Sequence, residues 1–246
     1  MSRFLPLLLV GACIEYGHDG LDRLPDSVSN PPSPPALLVV DEFVQVTTPM
    51  VDILWVIDNS GSMAEEQADL TANFPVFMEF FLGSGLDYHI GVVSTDLENN
   101  TNGSKGKLVE ISGVKWIEPD TSSPIEMFTS MATLGTRGSS SERGMGATYL
   151  ALETNRDTFN ADFYRDEAAL HTIVISDEPD STPPALITED EFVNWYDGLK
   201  DTTDQRSFSS IIDPSVGVRY RNLTAGIGGI ERNILSDDWP LLLEER

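Results

Sequence analysis

Cysteine is almost missing from this chain: of 246 residues, only Cys13 carries a thiol. An intramolecular disulfide is therefore excluded, and so is a cysteine-ligated zinc or iron–sulfur centre. Histidine is nearly as scarce. His18, His89 and His171 are scattered, with no pair at helical spacing to grip a transition metal. Basic charge is the third shortage, with 15 Lys and Arg against 40 Asp and Glu, a net charge of −25. A chain this acidic repels nucleic acid and anionic lipid headgroups, and attracts cations and basic surfaces. Nor is there an apolar run near the roughly 20 residues that a membrane-spanning helix needs.

What is present fits one α/β domain behind a short leader. Apolar residues make up 40% of the chain and charged residues 22%, which is the balance of a globular domain with a substantial core. At the N-terminus, Arg3 precedes the short apolar run Phe4-Leu5-Pro6-Leu7-Leu8-Leu9-Val10. Small residues and the sole cysteine follow. This reads as a secretory signal peptide over residues 1–13. Val10-Gly11-Ala12-Cys13 resembles a bacterial lipobox, in which the cysteine becomes the lipid-bearing first residue. Ile14 after it points to the outer membrane. A plain signal peptide with an incidental cysteine is the alternative. Residues 14–49, with Asn30-Pro31-Pro32-Ser33-Pro34-Pro35 at their centre, read as an extended proline-rich linker. Phe43–Val46 is a candidate edge strand near its end.

Residues 50–246 alternate strand and helix patterns. Val51–Ile57, Tyr88–Thr95 and Leu170–Ser176 are nearly continuous apolar runs, rich in β-branched residues, as expected of strands buried on both faces of a parallel sheet. Ser207–Ile212 and Glu231–Leu235 are further strands. Helices are expected over a segment opened by a Ser62–Glu65 capping box, with Leu70, Phe74, Phe77 and Phe81 on its buried face and a kink at Pro75. Others are expected over Pro124–Leu134, Glu142–Glu153, Glu189–Leu199, Tyr220–Ala225 and Asp237–Glu245. The sum is a three-layer α/β/α, doubly wound, mostly parallel sheet, with any ligand site at the carboxyl ends of its strands.

Three loops at those ends carry the chemistry. After the first strand comes Asp58-Asn59-Ser60-Gly61-Ser62-Met63. Asp58, Ser60 and Ser62 alternate, so their side chains can converge on one point, and Gly61 permits the bend between them. One carboxylate and two hydroxyls are hard donors that suit Mg²⁺, Mn²⁺ or Ca²⁺, not zinc or copper. Serines that merely cap the next helix are the bland alternative. The second loop is Gly138-Ser139-Ser140-Ser141-Glu142-Arg143-Gly144, and the third is Ser176-Asp177-Glu178-Pro179-Asp180.

Val-Asp-Ile-Leu-Trp-Val-Ile-Asp-Asn-Ser-Gly-Ser-Met at 51–63 resembles the opening of a von Willebrand factor A domain and its metal-ion-dependent adhesion site. Gly-Val-Val-Ser-Thr-Asp at 91–96 is similar to the second strand of bacterial lipoproteins of that type. The resemblance implies a Thr-like ligand five residues before a helix glycine. Here that is Ser139, with Ser140 and Ser141 as alternatives in the same run. It implies that Asp177 reaches the metal through water. It also implies a protein partner whose Asp or Glu completes the coordination sphere. With Asp58 as the only direct carboxylate, the ion stays under-neutralised and open to that ligand. Glu178 and Asp180 read as solvated turn acids, and Thr95 and Asp96 have no assigned role.

Two rival readings stand beside this one. A Mg²⁺-dependent hydrolase would need a nucleophile or base beside the metal, and no G-x-S-x-G, phosphate-binding loop or H-E-x-x-H occurs. His89 and His171 read as structural. A surface lipoprotein whose metal only fixes the loops fits the same residues as an adhesion module.

Overall fold

A computed structural model describes residues 49–236 and Trp239. The leader, the lipobox, nearly all of the proline-rich linker, the strand expected at 43–46 and nearly all of the last expected helix lie outside those residues.

Strands β1 (Met50–Ile57), β2 (Asp87–Ser94), β3 (Trp116–Ile117), β4 (Ala169–Ser176), β5 (Arg206–Ile212) and β6 (Glu231–Asn233) form one sheet in the order β3-β2-β1-β4-β5-β6. All neighbours are parallel except β2 and β3. Helices α1 (Ala64–Phe81), α2 (Pro124–Ala132), α3 (Gly144–Tyr149), α4 (Glu189–Asp197) and α5 (Val218–Ile227) flank it. The architecture is the expected doubly wound α/β class, in a von Willebrand A-like arrangement.

The layers follow from the strand period of two. On β1, Ile53, Trp55 and Ile57 enter a core with Leu70, Phe74 and Phe77 of α1 and Phe128 of α2. Leu54 and Val56 face the other way, into a core with Met145, Phe192, Tyr196, Tyr220 and Leu223 of α3, α4 and α5. A strand buried on both faces needs apolar residues at every position, which is why its sequence shows no alternation. Trp55 meets Phe74, Phe77 and Phe128 edge to face at 6.3, 5.2 and 5.5 Å between ring centroids, a geometry that ring quadrupoles favour.

At the amino edge of the sheet, Asp52 is fully buried. Arg165 answers it with Nε at 2.8 Å, Nη2 at 2.7 Å and its own backbone N–H at 2.6 Å. Arg165 Nη1 also reaches Asp87 at 2.7 Å. Burial raises the Asp52 pKa above its ordinary value, opposed by these bonds from Arg165.

Several boundaries differ from the sequence expectation. The Ser62–Glu65 capping box does not form: Met63 occupies the cap position without a side-chain bond, because the Ser62 hydroxyl lies 3.2 Å from that of Ser60 instead. A capping box does form at Thr188–Glu191, opening α4. Pro75 lies inside helix α1, where the helical spacing of Leu70, Phe74, Phe77 and Phe81 puts it. The helix expected from Glu142 begins at Gly144 and ends in a π turn over Leu150–Thr154. The two-residue strand β3 was too short to leave a periodic signature.

Candidate metal centre

The strand order reverses direction of travel at β1, with β2 on one side and β4 on the other. The crevice beyond the carboxyl ends of β1 and β4 is where ligands enter sheets of this kind. The first and third loops leave the sheet there, held in register by Asp58 N–H donating to Ile175 O at 3.0 Å.

Asp58 is fully buried. Its Oδ1 accepts the Ser60 N–H at 2.7 Å, and its Oδ2 accepts the Ser176 hydroxyl at 2.6 Å. Ser60 is buried and Ser62 exposed, with their hydroxyls 3.2 Å apart. The first loop thus gathers Asp58, Ser60 and Ser62, and opens to solvent on the Ser62 side. Gln67, one turn into α1, donates to Asp58 O at 2.8 Å and to Gly135 O at 3.1 Å, tying the first loop to the segment after α2.

The second loop docks on the first. Gly138 N–H donates to Asn59 O at 2.9 Å, and a Cβ at Gly138 would meet Asn59 side-chain atoms at 2.2–2.7 Å. A larger residue there would have to displace the buried Asn59 side chain. Ser139 is buried, and its hydroxyl donates to Glu98 Oε2 at 2.9 Å while accepting the Ser141 N–H at 3.0 Å. Its N–H donates to Asp96 Oδ2 at 3.2 Å. So Ser139 sits on the docked loop with its oxygen engaged by Glu98, whereas Ser140 is exposed.

Glu142, passed over as a helix-start residue, is fully buried. Its Oε2 accepts the Thr95 hydroxyl, and its backbone O accepts Ser181 N–H at 2.6 Å. Its Oε1 has no hydrogen-bond partner among the described residues. Thr95 in turn donates its N–H to Ile57 O at 3.2 Å, one residue before Asp58. Burial and the neighbouring Asp58 charge push the Glu142 carboxyl up to about 8. A carboxylate beside a helix start is what the helix dipole favours anyway, so the sequence offers no signal that this one turns inward.

On the third loop, Asp177 is half-buried and its Oδ1 is also unpartnered. Burial raises the Asp58 pKa, hydrogen bonds from Ser176 and Ser60 oppose that, and the Asp177 charge adds to it. Glu178 is raised by burial and then by Asp58 and Asp177. Glu178 is half-buried, more enclosed than a solvated turn acid. Asp180 differs further from that expectation. It is buried, accepts Met145 N–H at 2.9 Å and pairs with Arg219 at 3.0 Å, so it stitches the loop to α3 and α5. Asp96 has a structural role too, accepting N–H groups of Glu98 and Asn99 at 2.8 and 3.0 Å. His89 and His171 bond Phe163 O and Ser209 Oγ at 2.8 and 3.0 Å.

Asp58 thus faces like charge from Glu142, Asp177 and Glu178, and one oxygen each of Glu142 and Asp177 lacks a donor among the described residues. A buried carboxylate oxygen without a partner is costly, and a cation beside Asp58 is a species that relieves such a cost. The donors are all oxygens, which suits a hard divalent ion. The residues present fit such a group.

No family model and no curated protein matches the chain. The fold belongs to the von Willebrand A-like class of α/β sheets. Among solved structures it is similar to proximal thread matrix protein 1 from the mussel byssus, crystal form 2. The TM-score is 0.51 at 9% identity, over 79% of this chain and 46% of that one. The same mussel protein with a zinc-occupied MIDAS motif aligns with a TM-score of 0.48 at 11% identity, over 80% and 45%. The chain spans less than half the length of these structures, and the likeness is one of fold.

Proposed function

We propose that this chain is a metal-dependent protein-binding module of the cell envelope, not an enzyme. Asp58, Ser60 and Ser62 hold a divalent ion, Mg²⁺ or else Mn²⁺ or Ca²⁺, with Ser139 contributing from the second loop and Asp177 acting through water. The observation that carries the reading is the buried Asp58 carboxylate. It sits at the sheet's switch point beside the paired Ser60 and Ser62 hydroxyls, in a nest of acids.

Bound there, a hard divalent ion supplies an exchangeable coordination position on the open side of the loop. An Asp or Glu of a partner protein is the natural oxygen donor for it. Ser62 is exposed and marks that side. Ser176 holds Asp58 Oδ2 in place, and Gln67 clamps the backbone beneath. The sequence carries no G-x-S-x-G, phosphate-binding loop or H-E-x-x-H, which favours binding over hydrolysis. The acidic surface disfavours nucleic acid, and the membrane is reached only through lipid on Cys13, in an outer-membrane or cell-surface setting.

Thermal unfolding of the full chain tests the metal reading. A ligand that binds only the folded state stabilises it by about 2.7 kcal/mol at a hundred times its Kd. For a domain of this size that raises Tm by roughly 5–10 °C. Mg²⁺ should produce such a rise and Asp58→Ala should abolish it; an unchanged wild-type melting curve in millimolar Mg²⁺ rejects the reading. A second reading, in which the ion only braces the loops, is favoured by the direct docking of the second loop on the first, Gly138 N–H on Asn59 O at 2.9 Å. Ser60→Ala separates the two, since retained partner binding with a lowered Tm means scaffolding.

A further inference from the structure

We infer that Glu142 is a direct metal ligand, giving the ion a second carboxylate from the second loop. This rests on the metal-site reading above and revises its ligand set. Three observations lead to it. Glu142 is completely buried, yet Oε1 has no partner among the described residues. An acid fixed by one hydroxyl, with its other oxygen bare in a protein interior, is an arrangement that proteins avoid unless something else fills the position. The carboxyl is also aimed at the site. Thr95, which holds Oε2, is bonded through its backbone to Ile57 beside Asp58, and Glu142 O is bonded to Ser181 next to the third loop. The Asp58 charge is the foremost neighbouring charge acting on the Glu142 carboxyl, after its burial. Lastly, the residue that spacing nominates from this loop, Ser139, already gives its hydroxyl to Glu98 Oε2 at 2.9 Å.

The assignment changes the electrostatics of the centre. Asp58 alone leaves a divalent ion with net positive charge, whereas Asp58 and Glu142 together neutralise it. Such an ion is held more tightly by the protein and draws less strongly on an outside carboxylate. Partner recognition then depends more on the surface around Ser62 than on the ion's charge. Without metal, the two acids oppose each other, so the loops gain more from an ion than a one-carboxylate site would.

Titration of the full chain with Mg²⁺ alone, by calorimetry and by thermal melting, tests this. Glu142→Gln should weaken Mg²⁺ at least tenfold, and Ser139→Ala should change it less than threefold. With chelator present, Glu142→Gln should melt at or above wild type, because the amide places no second acid beside the buried Asp58. In saturating Mg²⁺ it should melt below wild type. That crossing distinguishes a ligand from a merely structural side chain, whose loss would lower both curves. Should the Gln variant fail to fold, Glu142→Asp keeps the charge but withdraws it by one methylene, and should also weaken Mg²⁺. Wild-type affinity in both Glu142 variants, with binding still lost in Asp58→Ala, overturns the assignment and leaves the metal site standing. Loss of binding in Ser139→Ala but not in Glu142→Gln does the same. No Mg²⁺ binding by wild type removes both.

Discussion

Arg165 is the place where the fold should be most sensitive to a single charge. Its guanidinium and backbone N–H make three contacts of 2.6–2.8 Å to Asp52, which is fully buried under the amino edge of β1. Arg165→Met keeps much of the aliphatic stem and the backbone bond but strips the positive charge. A buried ion pair broken on one side costs about 3–5 kcal/mol, and here it leaves Asp52 with the Arg165 backbone N–H and His89 at 3.8 Å. At roughly 2–4 °C per kcal/mol for a domain of this size, Tm should fall by about 6–20 °C. Asp87 also loses a partner, but it is 42% exposed and water can replace the arginine. The loss should depend on pH in a defined direction. Burial already holds the Asp52 pKa above its ordinary 3.8, and without Arg165 it rises further. A group whose folded pKa exceeds its unfolded one binds a proton on folding, so stability declines as pH rises from about 3.8 through the folded value. The deficit of Arg165→Met should therefore be largest near pH 7 and shrink toward pH 4. Asp52→Asn placed in the same chain should recover much of it at neutral pH. Melting curves of the four members of the cycle, measured with chelator from pH 4 to 8, give the answer. A deficit that is flat across that range, or untouched by Asp52→Asn, would refute the electrostatic account.

Two further perturbations probe the core and the loop docking. Phe74 is fully buried, stacked on Phe128 with centroids 3.4 Å apart and set against Trp55. Phe74→Ala should cost about 3–5 kcal/mol, read as a lower urea midpoint with an unchanged slope; a loss under 1 kcal/mol contradicts the packing described. Gly138→Ala forces a Cβ onto the Asn59 side chain, an overpacking cost of about 1–3 kcal/mol. It should also blunt the Mg²⁺-dependent rise in Tm by moving the second loop off the first, and an intact rise would show that the two loops need not touch.

Much of this was legible in the residues. The runs at 51–57, 88–95 and 170–176 announce strands buried on both faces, and the spacing of Leu70, Phe74, Phe77 and Phe81 announces the face of α1. Those signals are local, because burial imposes a period that a short window can hold. The convergence of Asp58, Ser60 and Ser62 was legible for the same reason, since five residues on one turn have few ways to point. Strand β3 left no trace, having only two residues to show a period. The roles of Thr95, Glu142 and Asp180 were not legible either. Nothing in Ser141-Glu142-Arg143 says whether the glutamate faces water or the interior. That was settled when the sheet order placed β1 between β2 and β4, so that loops separated by scores of residues share one crevice. Local sequence set most of the strands and helices and the turn that gathers Asp58, Ser60 and Ser62. Tertiary structure alone decided which distant carboxylates share a low-dielectric space with Asp58, because that proximity depends on the order of strands and not on the neighbours of any residue in the chain.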